Sequence, residues 1–273
     1  MYILLLIIVL VSIPAGDALP QITPGARQIA LSNSDAALCN DVFAIYTNPA
    51  GTAQLNVRQA GIYYSPAPFG LKELANGFIA YNEPFYWGSL NFGAMTYGYD
   101  LYKENKLTAS VSYKFRDFLY LGAAINFHML SIKNYGDSRA LYFNFGSLLF
   151  ITKDFRWAFA ISNLNNATFS DQKNQIPVII NTALCYNVLA ELSLCAGVEK
   201  DLSYSPSLKA GAELKLIDYV ILRTGFANNP SKYSAGIGIC YKGVQLDYSF
   251  FTHAYLGMTH QAGLLINLSS PDE

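Results

Sequence analysis

Charge is what this sequence has least of. Asp, Glu, Lys and Arg make up 14% of its 273 residues, against the ~25% usual in soluble domains. The formal net charge is -1, so no basic field exists to displace counterions from phosphates, and nucleic acid is excluded as a partner. No apolar run approaches the ~20 residues of a membrane helix. The four cysteines, Cys39, Cys185, Cys195 and Cys240, are too dispersed to staple the chain or to form a zinc set, and read as small apolar fillers. There is no G-x-S-x-G elbow, no H-E-x-x-H, no P-loop and no strand-linked dinucleotide fingerprint. An enzyme is therefore not expected, nor a cofactor or metal. Of the three histidines, His128, His253 and His260, the last two flank a loop without a carboxylate or thiolate partner, which is poor zinc evidence. Gly236-Ile237-Gly238 lies in an expected strand with no helix N-terminus to hold a phosphate, and reads as small-residue packing.

What the chain has instead is aromatics, at 14%, and hydrophobics, at 52%. Residues Tyr2 to Ile13 form an apolar run followed by Pro14, Gly16 and Ala18, which reads as a signal peptide over 1–18 with cleavage after Ala18. No Lys or Arg precedes the run, so the signal is atypical or the true start lies upstream.

From residue 59 onward apolar residues recur with period two, the signal of half-buried strands. The alternation predicts about fourteen strands, near 59–65, 74–82, 87–98, 107–115, 118–131, 140–152, 155–163, 177–187, 191–199, 205–216, 219–227, 232–241, 243–252 and 260–268. Tight turns are expected at Arg116-Asp117, Lys153-Asp154, Leu189-Ala190, Ile217-Asp218 and Lys242-Gly243. Longer polar loops are expected at 100–106, 133–139, 165–176, 200–204, 228–231 and 252–259. Short turns on one side and longer loops on the other describe an up-and-down antiparallel meander.

Facing decides between a soluble sandwich and a membrane barrel. Leu119, Leu121, Ala123, Ile125 and Phe127 share one face, opposite Tyr120, Gly122, Ala124, Asn126 and His128. Strand charges such as Arg156, Glu199, Lys209, Glu213, Arg223 and Asp247 fall on the second face among Gly, Ala, Ser and Asn. A water-bathed sheet face would carry many long charged side chains, so a face this small and sparsely charged suits a crowded lumen. Aromatics near strand ends, including Tyr86, Trp87, Tyr113, Phe118, Tyr219 and Tyr241, suit interfacial girdles. The fold class is thus all-β: a transmembrane up-and-down antiparallel β-barrel of about 14 strands with a short N-terminal helical plug. The expected organisation is plug over 19–56, barrel over 57–269 and tail over 270–273, in the bacterial outer membrane.

Keeping Val188 and Leu192 on the outer face requires a three-residue turn at Leu189–Glu191, because a one-residue slip flips every side chain. Cys185 then faces Cys195 across the lumen side. The pair is expected unbonded, since directly opposed strand positions seldom offer ideal disulfide geometry.

The stretch from Gly25 to Thr52 does not alternate. It supplies Gly25, Arg27, Ala30, Leu31, Ala37, Asp41, Ala44, Asn48, Pro49, Ala50 and Gly51, and so resembles the N-terminal signature of the PorV/PorQ family of outer-membrane proteins, relatives of the FadL transporters. It departs at Ser32-Asn33, where small glycines are usual, and at Thr52 in place of leucine. The chain's end is similar to the family as well: Asp247-Tyr248-Ser249-Phe250, a loop, then Leu256-Gly257-Met258-Thr259-His260, with Gln261 where arginine is common. The resemblance implies two functions of different classes. One is a role in type IX secretion, with secretion machinery or cargo C-terminal domains as partners. The other is passive passage of a hydrophobic solute. In either, outer-membrane lipid surrounds the wall.

The same residues have a reading of their own. A fourteen-stranded barrel is too wide for its wall side chains to fill, and Ala30, Ala36, Ala37 and Ala44 would let a segment pack closely inside. Asn48-Pro49-Ala50-Gly51 reads as a turn, with proline fixing φ and glycine free to take φ > 0 as the chain swings into the first strand. Arg27, the lone cation of the stretch, either meets a lumen carboxylate such as Glu199, Glu213 or Asp247 or faces periplasmic water.

Overall fold

The structure, a computed structural model, describes residues 23–169, 176–253 and 256–268. The expected signal peptide and the tail 270–273 lie outside them. Fourteen antiparallel strands form the wall: β1 (Gln59–Ser65), β2 (Asn76–Phe85), β3 (Gly88–Tyr99), β4 (Tyr102–Arg116), β5 (Leu119–Ile132), β6 (Gly136–Phe150), β7 (Phe155–Ser162), β8 (Ile179–Asn187), β9 (Leu192–Asp201), β10 (Ser207–Ile217), β11 (Val220–Asn228), β12 (Ser231–Tyr241), β13 (Val244–His253) and β14 (Gly257–Asn267). Each strand pairs with its sequence neighbours, and β14 closes on β1 with Gln59 opposite Asn267 and Tyr64 opposite Ala262. Closure leaves no edge strand, the condition for a sheet to face hydrocarbon, although β6 pairs with β7 only over Phe145–Phe150.

Side-chain direction follows the expected alternation. Along β5, Ala123, Ile125 and Phe127 are exposed, whereas Tyr120, Gly122, Ala124, Asn126 and His128 are buried. The outward set continues round the wall through Ile79, Phe92, Leu107, Phe143, Leu208 and Leu246, all exposed. Exposed aromatics sit near the turns, with Phe85, Tyr86, Tyr113, Phe118, Tyr219 and Tyr241 gathered at one rim. An apolar band bounded by aromatics is the surface of a wall that faces lipid.

The loops depart from the expected alternation of lengths. The connections at 100–101, 133–135 and 229–230 are tight turns, because strands such as β4 and β6 run several residues further than their apolar pattern. Polar Lys103, Glu104 and Asn105 pair with Thr96–Gly98 and Met129–Ser131 as ordinary ladder residues. Longer connections on that rim are 66–75, which carries short 3-10 turns at Pro68–Gly70 and Lys72–Leu74, and 163–178. In the latter, Ala167, Phe169 and Ile176 pack with Ala140 and Tyr142.

The turn after β8 closes as Val188 N–H donates to Leu192 O at 2.9 Å, and Cys185 stands opposite Cys195. Their sulfurs are bonded, which corrects the unbonded expectation. Counting from Val188–Leu192, Cys185–Cys195 falls on a non-hydrogen-bonded pair, the closer of the two alternating spacings. The Cα atoms are accordingly 4.2 Å apart.

Residues 23–55 lie inside the wall. Two short helices, α1 (Ala26–Ala30) and α2 (Ala44–Thr47), alternate with 3-10 turns at Asp35–Ala37 and Pro49–Gln54. Segments of three to six residues are too short to be helical alone in water, so packing holds them. Helix α1 lies against β11 to β14, the Asp35 turn against β7 to β9, and the Pro49 turn against β3 to β6. The segment approaches the wall's backbone where the wall lacks a Cβ. A methyl at Gly122 would overlap Pro49 and Ala50, one at Gly146 would overlap Asn48, and one at Gly225 would sit within about 2.5 Å of Ser32 N.

Two outcomes test this architecture. Gly225→Ala should lower the denaturant midpoint, with a loss of about 1–3 kcal/mol from overpacking, while Gly263→Ala should be nearly neutral because its Cβ meets Ala26 at 3.5 Å. Equal midpoints for the two would mean the inner segment yields freely. Alkylation of the unfolded chain without reductant should label Cys39 and Cys240, the free thiols, and leave Cys185 and Cys195 unlabelled until reductant is added.

Candidate functional site

The inner segment is seated by a buried chain of alternating charges. Arg27 on α1 donates Nε to Glu213 Oε2 at 2.7 Å and Nη2 to Glu213 Oε1 at 3.0 Å. Its Nη1 reaches Asn40 Oδ1 at 2.6 Å and Asp41 Oδ2 at 3.1 Å. Glu213 Oε2 also accepts from Arg223 Nε at 2.7 Å, and Arg223 Nη1 donates to Asp247 Oδ1 at 2.6 Å. The order is Asp41, Arg27, Glu213, Arg223, Asp247, with Arg27 at 7% and Arg223 at 4% exposure. Burial works to lower the pKa of the Arg27 guanidinium, yet Glu213 and Asp41 hold it well above its ordinary value. Of the two placements open from sequence, the structure puts Arg27 on a lumen carboxylate rather than in water. Glu199, another candidate partner, instead accepts from Lys209 at 2.7 Å.

The strand between Arg223 and Asp247 makes room for their contact. A Cβ at Gly238 of β12 would lie 2.5 Å from Asp247 Oδ1 and 2.7 Å from Arg223 Nη1. Gly238 therefore leaves the space through which β11 and β13 share a charge pair, a specific role beyond small-residue packing.

The other N-terminal motif residues cluster around the same seat. Gly25 has φ 100°, in the region where L side chains are strained. Asp41 accepts from Gln28 Nε2 at 2.7 Å and from Phe43 N–H at 2.9 Å, closing the turn before α2. Asn48 accepts from Ala50 N–H at 3.2 Å and donates Nδ2 to Ala36 O at 3.0 Å and to Ser147 O on β6 at 3.2 Å. Pro49 opens the 3-10 turn, and Ala50 is fully buried. Asn48 to Gly51 does turn, with Gly51 N–H donating to Asn48 O at 2.9 Å, but Gly51 is absent from the positive-φ positions among the described residues, which corrects the φ expected of it. It is needed for space, since a Cβ would overlap the carbonyl of Cys39. The swing into β1 falls later, after Gln54.

The C-terminal motif residues divide. Asp247 joins the charge chain, and Thr259 is buried and accepts from Phe69 N–H at 2.9 Å. Tyr248 and His260 face outward, joined at 2.6 Å through the tyrosine hydroxyl and Nδ1. Leu256 is exposed, and Gly257 begins β14 with φ 86°.

Sequence reading missed the far side of the inner segment. Lys106 lies 5.4 Å from the Tyr46 ring, and Lys232 lies 5.1 Å from the Phe251 ring. Phe69 meets Phe251 edge-on at 5.8 Å, and Phe169 meets His128 at 4.8 Å. Aromatics and amines thus line the mouth on the side of the longer loops. At the opposite mouth a cavity of about 290 Å³ opens among Asp218, Tyr219, Cys240, Lys242, Gln245 and Asn267. Two lysines on the inward face of β4 and β12 were the available signal, but their ring partners come from distant segments.

The fold is shared with solved outer-membrane barrels. A FadL homologue from Pseudomonas aeruginosa superposes with a TM-score of 0.63 at 14% identity, covering 92% of this chain and 98% of that one. The toluene transporter TbuX of Ralstonia pickettii gives 0.63 at 14% identity, over 89% and 96% of the two chains. The toluene transporter TodX of P. putida gives 0.63 at 10% identity, over 89% and 98%. At such identities the likeness is one of fold. No protein-family model and no curated protein matches the chain.

Arg27→Met should destabilise the folded barrel by about 3–5 kcal/mol, because it strands part of a buried charge chain. A melting temperature equal to the parent's would remove Arg27 as an anchor. Asp35 supplies a pH test. Burial raises its carboxyl to about 6, only partly offset by Arg27. A carboxyl raised in the folded state contributes stability below the unfolded value, and loses it as pH climbs through the folded one. In choline buffer, free of alkali cations, stability should therefore fall between about pH 4 and 7, by up to about 3 kcal/mol, and Asp35→Asn should lack this component.

Proposed function

We propose that the protein is a non-enzymatic barrel of the bacterial outer membrane, of the PorV/PorQ type, which serves as a component of or accessory to type IX protein secretion and surface attachment. The observation that carries this reading is the filled lumen. Residues 23–55 touch strands around the whole wall and are tied to it by a buried charge pair. A barrel sealed in this way acts through its surface: lipid covers the apolar band, and the rims are left for secretion machinery or cargo C-terminal domains. The motif residues support the same reading, since Arg27, Asp41, Asn48 and Asp247 all help to seat the inner segment.

A second reading, FadL-like passive transport of a hydrophobic small molecule, is favoured by one observation. The mouth on the longer-loop side carries Tyr46, Phe69, Phe169 and Phe251, an aromatic lining suited to an apolar solute. A likeness of fold to toluene transporters adds to it.

Affinity purification from native membranes, paired with hydrocarbon uptake by a deletion strain, separates the two. The proposed role expects secretion components in the eluate and unchanged uptake. An eluate without them, together with lost uptake, would transfer the assignment to transport. In planar bilayers the intact barrel should be nearly non-conducting, and a variant lacking residues 24–56 should conduct small ions. Unchanged conductance would show that the segment does not make the seal.

A further inference from the structure

The charge chain holds the inner segment to β10, but Asp35 sits elsewhere, against β7 to β9. Its side chain is 1% exposed, and its Oδ2 has no hydrogen-bond partner. Two other unpartnered buried atoms are Asn33 Nδ2 and Thr47 Oγ1. All three residues line one cavity of about 30 Å³ between the segment and the wall, shared with Ser162, Asn181 and Glu199. Unsatisfied buried polar atoms are scarce in folded proteins, and each costs about 1–3 kcal/mol. Three of them around one hollow mark an occupant.

The occupant's chemistry follows from the lining. Each water-sized species needs roughly 10–15 Å³ of such volume, so the hollow takes about two. The lining brings two carboxylates and neutral oxygens, with no thiolate or imidazole, which suits a hard cation. Glu199 is already matched by Lys209 at 2.7 Å, and Lys232 spends its amine on Asn33 Oδ1 at 3.3 Å and on the Phe251 ring. Arg27 acts on Asp35 through its charge, without a hydrogen bond or ion pair, and against the opposing charges of Asp41 and Glu213. One negative charge, that of Asp35, is left without a contact partner. A water alone would satisfy the polar atoms and leave that charge buried and unmatched, which is costly.

We propose that this cavity binds one monovalent metal cation, sodium or potassium, between Asp35 of the inner segment and Glu199 of β9. Thr47 and Asn181 supply neutral oxygens, and one retained water accepts from Asn33 Nδ2. The cation fastens the segment to the β7–β9 side, where no ion pair reaches the segment among the described residues. It acts as a second anchor beside the one that Arg27 makes on β10, whichever function the sealed barrel serves.

The test uses the full barrel refolded in detergent and melted in sodium, potassium or choline chloride at equal ionic strength. Choline is too large for the hollow. The melting temperature should be higher in sodium or potassium than in choline, rising by about 3–6 °C per tenfold increase in the bound cation. Asp35→Asn should fold and lose that dependence. Equal melting in all three salts, or a dependence that survives Asp35→Asn, would overturn the proposal. Crystals of the unaltered protein soaked in thallium(I) give a second readout that needs no variant. An anomalous peak between Asp35 and Thr47 is expected, and a water without anomalous signal there would overturn the assignment.

Discussion

A buried guanidinium must be neutralised where it lies, and the path of the inner segment depends on how Arg27 meets that demand. Desolvating an ion costs several kcal/mol unless its partner is close and its remaining protons are bonded. Arg27 meets two carboxylates and an amide oxygen, with Glu213 held bidentately. Bidentate geometry fixes direction as well as distance, so it sets the height and rotation of α1 against the wall. Because Glu213 is shared with Arg223, and Arg223 with Asp247, one anchor on the segment is tied to three wall strands.

Shape completes what charge begins. Backbone of the segment meets the wall at Gly122 and Gly225, and the Asn48 side chain meets it at Gly146, positions where any side chain would hold the segment away. Short polar side chains then bridge the gap, as where Thr52 Oγ1 donates to Ser112 Oγ at 2.9 Å and Ser32 Oγ lies 2.8 Å from Ser234 Oγ. Small and hydroxylated residues in a lumen allow a second layer of chain to dock with its polar atoms satisfied. The scarcity of charge on the inner face is the compositional trace of that docking.

Much of this was legible because strands advertise themselves. Period two placed all fourteen strands within a few residues, and the outward demand on Val188 and Leu192 set the register that faces Cys185 with Cys195. What escaped depended on irregularity or on distance. An expected turn at Ile217-Asp218 would pair Glu213 with Leu222, whereas the register shifts between Lys215 and Ile217 and brings Glu213 opposite Arg223. Alternation is blind to a bulge, since it preserves period two on each side of the break. The strand ends at Lys103–Asn105 escaped because their ladder bonds do not depend on apolar side chains. Asp35 escaped because nothing local marks a carboxylate for burial; its surroundings come from strands more than a hundred residues away.

The energetics bear on how such a barrel could work. Withdrawing the segment would part Arg27 from Glu213 and expose the mates of each wall glycine. Breaking one buried pair costs about 3–5 kcal/mol, so spontaneous opening would occupy between roughly one molecule in a hundred and one in a few thousand, since each 1.4 kcal/mol is tenfold. A solute crossing through the centre must therefore supply binding energy that favours the displaced state, because a ligand shifts an equilibrium only by its differential affinity. Partners that bind the rims face no such requirement. On energetic grounds alone, the seated segment favours work done at the surface of a closed barrel over traffic through it.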